Sequence, residues 1–207
     1  GFMFAAGANG TIWSSADSGA NWSRTPAEGF VRVDYDGSVL FAAGGNGTLW
    51  FSRDRGQNWT RTQANGVSDV ASAGNGGAVA VTVDGGVWVS RPGDVTQWLR
   101  TNASGFQSVT TDGRMIFAAG NNGTVWSAPY AFTQDLNWQR TPAEGFRQVS
   151  ISADGRLYLV GNNGTVWFST DGARTFTRTN AANMESVAYR RGVVIGVDAT
   201  GAIWVGR

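Results

Sequence analysis

The chain has 207 residues, of which 42% are hydrophobic, and thirty glycines against four prolines, a composition for a packed core of short strands and tight turns. Sixteen basic residues, all Arg, face fifteen acids, and a net charge of +1 supplies no global field for a nucleic acid or an anionic membrane. Cys and His are absent, which removes disulfides, thiolate nucleophiles, imidazole bases and the usual zinc ligands, so neither a cofactor nor a metal is expected.

The first ten residues, GFMFAAGANG, carry no charged leader, so either a leader has been removed or the chain is an excised domain. No apolar run reaches the length of a membrane span. Residues 11–25, TIWSSADSGANWSRT, then introduce a phrase that returns at 48–62 as TLWFSRDRGQNWTRT. Ser15, Asp17, Gly19 and Trp22 recur at the same offsets as Ser52, Asp54, Gly56 and Trp59.

Residues 30–62 give the full unit. FVRVDY is a first strand, SVLFAAG a second after the turn Asp-Gly, TLWFS a third entered through Gly-Asn-Gly, and NWTRT a fourth. Asp-Gly and Asn-Gly between short alternating runs mark hairpins, because such turns need positive φ. Further on, SRPGDVTQW (90–98) is one residue longer than the first two phrases and SAPYAFTQDLNW (127–138) longer by four. Ser169, Asp171, Gly172 and Phe176 give a near match with Gly one place early and Phe for Trp.

An apolar residue followed by Trp marks each third strand: Ile12-Trp13, Leu49-Trp50, Val87-Trp88, Val125-Trp126, Val166-Trp167 and Ile203-Trp204. The Trp spacings are 37, 38, 38, 41 and 37 residues, a fixed period that signals a repeat architecture. Two adjacent large apolar side chains point to opposite faces of a strand, so each sheet must be covered on both sides. The expected fold is all-β: one domain, 1–207, forming a β-propeller of repeated four-stranded antiparallel blades. Roughly twenty-two strands follow from the pattern. Six blades are favoured, with the first and last three-stranded; five closed blades and a spare hairpin are the alternative. Unfinished terminal edges invite completion by a second chain.

The phrase Ser-x-Asp-x-Gly-x-x-Trp resembles the Asp box of the BNR repeat, found in sialidase-like propellers and in propellers similar to photosystem assembly factors. The resemblance implies a propeller whose Ser15, Asp17, Gly19, Trp22, Ser52, Asp54, Gly56, Trp59, Ser169, Asp171 and Phe176 are structural, with the binding face at the opposite end of the ring. The links between fourth and first strands lie there and are themselves repeated: TPAEGF at 25–30 and 141–146, TQANGV at 62–67, TNASGF at 101–106 and TNAANM at 179–184.

On that face Glu28, Asn65, Asn102, Glu144 and Asn180 are the candidate ligand contacts, beside aromatic rings that would stack on a sugar. The bland alternative is that the links repeat because the turn repeats. Arg24, Arg61, Arg100, Arg140 and Arg178 follow the fourth-strand aromatic at a spacing of two, and read as pairing or stacking partners rather than as a ring for an anionic polymer. Glu28 and Glu144 lie in identical hexapeptides, whereas a two-carboxylate glycosidase needs two different environments. No Arg-Ile-Pro signature of a sialidase is present either, so catalysis is not expected. The Asn-Gly-Thr triplets read as turn chemistry rather than glycan acceptors. The leading expectation is a lectin-like propeller with repeated shallow glycan sites, the alternative a protein-binding scaffold similar to assembly factors. A secreted or cell-surface bacterial protein is the expected setting, with no nucleic-acid partner and no membrane insertion.

Overall fold

A computed structural model describes residues 1–74, 76–152, 154–190 and 193–206. These residues form six antiparallel blades, all strands and no helix, in a β-propeller. Blade 1 holds β1 (Met3–Ala6), β2 (Ile12–Ser15) and β3 (Ser23–Arg24); blade 2 holds β4 (Phe30–Tyr35), β5 (Leu40–Gly44), β6 (Leu49–Ser52) and β7 (Thr60–Arg61). Blade 3 holds β8 (Val67–Ser72), β9 (Ala78–Thr82), β10 (Val87–Arg91) and β11 (Asp94–Arg100). Blade 4 holds β12 (Phe106–Thr111), β13 (Met115–Gly120), β14 (Val125–Pro129) and β15 (Gln139–Arg140). Blade 5 holds β16 (Phe146–Ile151), β17 (Leu157–Gly161), β18 (Val166–Ser169) and β19 (Thr177–Arg178), and blade 6 holds β20 (Met184–Arg190), β21 (Val193–Asp198) and β22 (Ile203–Gly206). The six-blade reading with three-stranded ends is the observed one, and among the described residues the strands number twenty-two.

The apolar-Trp pairs explain how the blades stack. Leu49, Val87, Val125 and Val166 pack against the following blade, whereas Trp50, Trp88, Trp126 and Trp167 pack against the preceding one. Each interblade layer is therefore an aliphatic face laid on a Trp and small-residue face. Burying one such Val or Leu contributes about 1.5–3 kcal/mol, and the layers together make the core.

Two backbone features set the spacing between blades. The turn glycine that enters the third strand of blades 1 to 5 (Gly10, Gly47, Gly85, Gly123, Gly164) has positive φ and lies against the link residue Gly29, Gly66, Gly105, Gly145 or Asn183. A Cβ on Gly85 would stand 2.7 Å from the nitrogen of Gly105, so no larger residue fits. The same turns accept a hydrogen bond from the first residue of the next blade, for example Val67 N–H to the Gly47 carbonyl at 2.9 Å.

Along the inner side, the first strands of consecutive blades touch. Their free backbone N–H groups are met by side chains of the blade before: Ser72 N–H donates to Asp34, Val109 N–H to Asp69, Val149 N–H to Ser108, Ile151 N–H to Thr110 and Val187 N–H to Gln148. Asp69, Ser108 and Gln148 each stand just past a one-residue bulge, which re-aims the side chain toward its neighbour. Burial pushes the Asp69 carboxyl up, against the opposing pull of the Val109 amide and the Arg32 charge.

Asn-Gly-Thr-x-Trp is a relay. The indole N–H of Trp167 donates to the Thr165 hydroxyl at 3.1 Å, which donates to Asn163 at 2.7 Å, and Trp13, Trp50 and Trp126 repeat the arrangement. Blade 3 departs from it. Gly86 stands where blades 1, 2, 4 and 5 carry Thr, the Arg100 guanidinium fills the space within 3.0 Å of a notional Cβ, and the buried Trp88 indole nitrogen has no partner.

At the opposite end, the Ser and Asp turns are knotted by side chain to backbone bonds. Ser52 donates to Asp54 at 2.7 Å and accepts from Gly56 N–H at 2.8 Å; Asp54 accepts from the amide and side chain of Asn58, and the Trp59 indole closes on the Gly56 carbonyl. Ser15, Asp17, Gly19, Asn21 and Trp22 make the same set. In the third turn Ser169 and Asp171 are equivalent, but Ala173, at φ 69, holds the left-handed position of Gly19 and Gly56, and Gly172 takes that of Ser18 and Arg55. Phe176 packs on Phe146 as Trp59 packs on Phe30.

Two outcomes are expected. Thr165→Val strips the Trp167 indole of its acceptor and destabilises the fold by about 1–2 kcal/mol in urea unfolding. The N–H bonds to Asp17 and Asp54 hold both carboxyls at about 2 against an ordinary 3.8, so their contribution is present above that ordinary value and lost as pH falls toward 2. Tm measured from pH 5 down to pH 2 should fall, and fall less steeply in an Asp17→Ala plus Asp54→Ala variant.

Candidate binding site

Strand alternation places the Asn-Gly turns and the fourth-to-first links at one end of the ring, away from the Ser and Asp turns. Each link is held in the same way. Thr25, Thr62, Thr101, Thr141 and Thr179 donate their backbone N–H to the aliphatic third-strand carbonyl at 2.8–2.9 Å, and their hydroxyls accept from the Ala N–H two residues on. The Thr-x-Ala phrase is thus a hydrogen-bonded turn that also carries an Ala into the interblade layer.

The five candidate contacts lie one to a link and are not brought together. Glu28 receives Arg24 and Glu144 receives Arg140, each as an ion pair four residues apart. Asn65 accepts from Arg61 at 3.0 Å, and Asn180 is exposed. Asn102 donates to Asp135 at 2.5 Å. The repeated Arg thus serves its own link: it stands opposite the third-strand Trp, as Arg24 does Trp13, and in three blades reaches the Glu or Asn four residues on. In blade 3 Arg100 turns to Asp84 at 2.7 Å, where the Thr82 hydroxyl, the Gly86 amide and Arg100 hold the carboxyl below its ordinary value.

The partner of Asn102 comes from the longer segment between β14 and β15. That segment crosses onto blade 3: the Tyr130 hydroxyl donates to the Ser90 carbonyl at 2.9 Å, Arg91 lies 4.9 Å over the Phe132 ring, and Asn102 N–H donates to the Gln134 carbonyl. Burial there pushes the Tyr130 hydroxyl pKa up. The chain returns through Leu136 and Trp138, which join the layer between blades 3 and 4. Because the rerouted segment removes the turn carbonyl that serves Trp22, Trp59 and Trp98, the buried Trp138 indole nitrogen has no acceptor.

Beside this segment opens a cleft of about 430 Å³ between blades 3 and 4. Phe106, Trp126 and Trp138 form its apolar wall, with the Phe106 and Trp138 rings 4.7 Å apart, and Ser104, Asn121 and Asn122 form its polar rim. A second hollow, about 560 Å³, lies between the outer edges of blades 2 and 3 and is lined by Arg61, Gln63, Asn65 and Thr96 together with the Phe51 ring. Similar links therefore give dissimilar hollows. Sequence reasoning named Asn65 and reached the neighbour of the first cleft, Asn102, but it missed the aromatic wall. The wall residues are the first-, third- and fourth-strand aromatics of blade 4, which stand at the repeat positions of Phe30, Trp50 and Trp59.

No family model and no curated protein matches the chain. Solved structures do. PorZ, an essential bacterial surface component of the type-IX secretion system of Porphyromonas gingivalis, is 17% identical with a TM-score of 0.68 over 99% of this chain and 29% of its own. YCF48 bound to D1 peptide is 18% identical, TM-score 0.64, over 98% of this chain and 74% of its own. Prp20p of Saccharomyces cerevisiae, studied with its binding properties to Gsp1p and histones, is 11% identical, TM-score 0.69, over 99% and 69%. The chain spans less than a third of the first of these and about three quarters of the second. Similarity at this level shows a shared propeller fold.

Proposed function

We propose that this chain is a non-catalytic propeller of the Asp-box type that recognises a partner protein, with its contact at the cleft between blades 3 and 4. One observation carries the reading: the apolar cleft of Phe106, Trp126 and Trp138 lies at the link from blade 3 to blade 4, next to the segment 130–137 that crosses onto blade 3. An aromatic wall with a hydroxyl and amide rim suits one apolar side chain of an extended segment, whose backbone the rim can hydrogen-bond. Structures with this fold that carry a D1 peptide, or are described by their binding to Gsp1p and histones, support a protein ligand.

The carbohydrate expectation is the weaker of the two. Glu28 and Glu144, its intended sugar contacts, are each engaged by their own Arg, and Asn102 by Asp135. The same pairing argues against two carboxylates set in the unlike environments that glycoside hydrolysis needs.

A phage-displayed library of linear peptides selected on the protein should enrich a family of sequences sharing one apolar anchor. Ser104→Arg, an exposed rim change that fills the mouth of the cleft, should weaken those peptides at least tenfold. A blank peptide selection together with a glycan-array signal lost in Glu28→Ala plus Glu144→Ala would reverse the assignment in favour of a lectin.

A further inference from the structure

Five Asn-Gly pairs stand among the described residues, at Asn9, Asn46, Asn65, Asn122 and Asn163. An asparagine in such a pair can react with the following main-chain nitrogen, because glycine has no Cβ to crowd that nitrogen's approach to the amide carbon. Four of the five are locked against it. The Gly10, Gly47, Gly123 and Gly164 N–H groups each donate to the carbonyl three residues back at 2.9 Å. The Asn side chains before them are turned onto the Thr two residues on, whose hydroxyl donates to Oδ1 at 2.7–2.8 Å.

Asn65-Gly66 lies in the link from blade 2 to blade 3, and its surroundings differ. Asn65 is exposed, and among the described residues the Gly66 N–H has no hydrogen-bond partner. The Asn65 Oδ1 accepts from the Arg61 guanidinium at 3.0 Å, and its Nδ2 donates to the Gln63 carbonyl at 3.1 Å. A cation on Oδ1 draws electrons from the amide carbon and meets the negative charge that grows on that oxygen when a nucleophile adds. The other links carry Glu28, Ser104, Glu144 and Ala182 at this position. An amide carbon, an unbonded glycine N–H and a guanidinium donor therefore meet in one link of the five.

We infer that Asn65 is a self-modification site, at which this link exchanges an amide for a carboxylate with water as the co-reactant. Hydroxide takes the Gly66 N–H proton, the nitrogen adds to the Asn65 amide carbon, and Arg61 holds the oxyanion on Oδ1. Ammonia then leaves with a proton from water, which closes a cyclic imide on the Gly66 nitrogen. Water opens the ring at either carbonyl, so one water is consumed for one ammonia released. Opening at the side-chain carbonyl restores the peptide bond and leaves an aspartate four residues after Arg61, the pairing that Arg24 makes with Glu28 and Arg140 with Glu144. The hollow between blades 2 and 3, which Arg61 and Asn65 both line, thereby gains one negative charge. Opening at the main-chain carbonyl inserts one carbon into the backbone where Gly66 lies against Gly47, the contact that spaces these blades. The site is separate from the cleft between blades 3 and 4 and stands whether or not that cleft binds a protein.

The experiment ages the folded protein at mildly alkaline pH and follows each asparagine by tandem mass spectrometry, with the urea-unfolded chain as reference. In the folded protein Asn65 should convert at least about tenfold faster than Asn9, Asn46, Asn122 and Asn163, whose glycine N–H groups must first open. In the unfolded chain the five should convert at similar rates. Arg61→Ala should slow Asn65 about fivefold and leave the four turn asparagines unchanged, and Arg61→Lys, which keeps the charge, should recover part of the rate. A guanidinium that only pinned the side chain would give the opposite sign, with faster conversion once it is removed. Equal rates at Asn65 and at the turn asparagines in the folded protein overturn the proposal. An unchanged or faster rate in Arg61→Ala overturns the part given to the guanidinium.

Discussion

The distance between neighbouring blades is set where two backbones touch. A turn glycine of one blade lies against the link of the next so closely that a single added carbon would meet a backbone atom near 3 Å. Fixing that approach fixes how far apart the sheets stand, and therefore which side chains fill the gap. The alternation of an aliphatic third-strand residue with Trp satisfies it from opposite sides. Everything at the link end inherits the same constraint, including the carbonyl that each Thr meets and the hydroxyl that turns the chain toward the next first strand.

What was legible in the sequence is what repeats. The strands, the blade count and the Ser and Asp turns follow from turn dipeptides and a period, because each unit solves the same packing problem with the same residues. Asn-Gly-Thr was readable as a turn, yet its threonine has a second task, accepting the indole two residues on, which no local turn rule contains. The inner strands were opaque for a different reason. Asp34, Asp69, Ser108, Thr110 and Gln148 do one job with three chemistries, and residue type alone gives no pattern. Ala173 in a left-handed conformation shows the converse, since a strong side chain network can hold a residue where local preference would place Gly.

The candidate sites follow from breaks in this regularity. Similar links consume their own polar groups, so Glu28, Asn65, Asn102 and Glu144, which look available in sequence, are spoken for in three dimensions. Residues 130–137 leave the standard hairpin and cross to blade 3, beside a cleft walled by Phe106, Trp126 and Trp138. A perfect repeat would be a poor binder of one particular partner, because it offers nothing to choose between one blade and the next.

Across every pair of inner strands where such a bond occurs, the side chain that accepts belongs to the earlier blade and the N–H to the later one. The bonds thus have a sense of rotation. A gene segment spanning one period carries both the acceptor for its successor and the backbone that its predecessor needs. Duplicating such a segment in tandem adds a blade with its inner bonds already supplied, whereas inverting the order of acceptor and donor would leave each seam unmet. Growth of the array by whole periods is therefore built into the direction of these contacts.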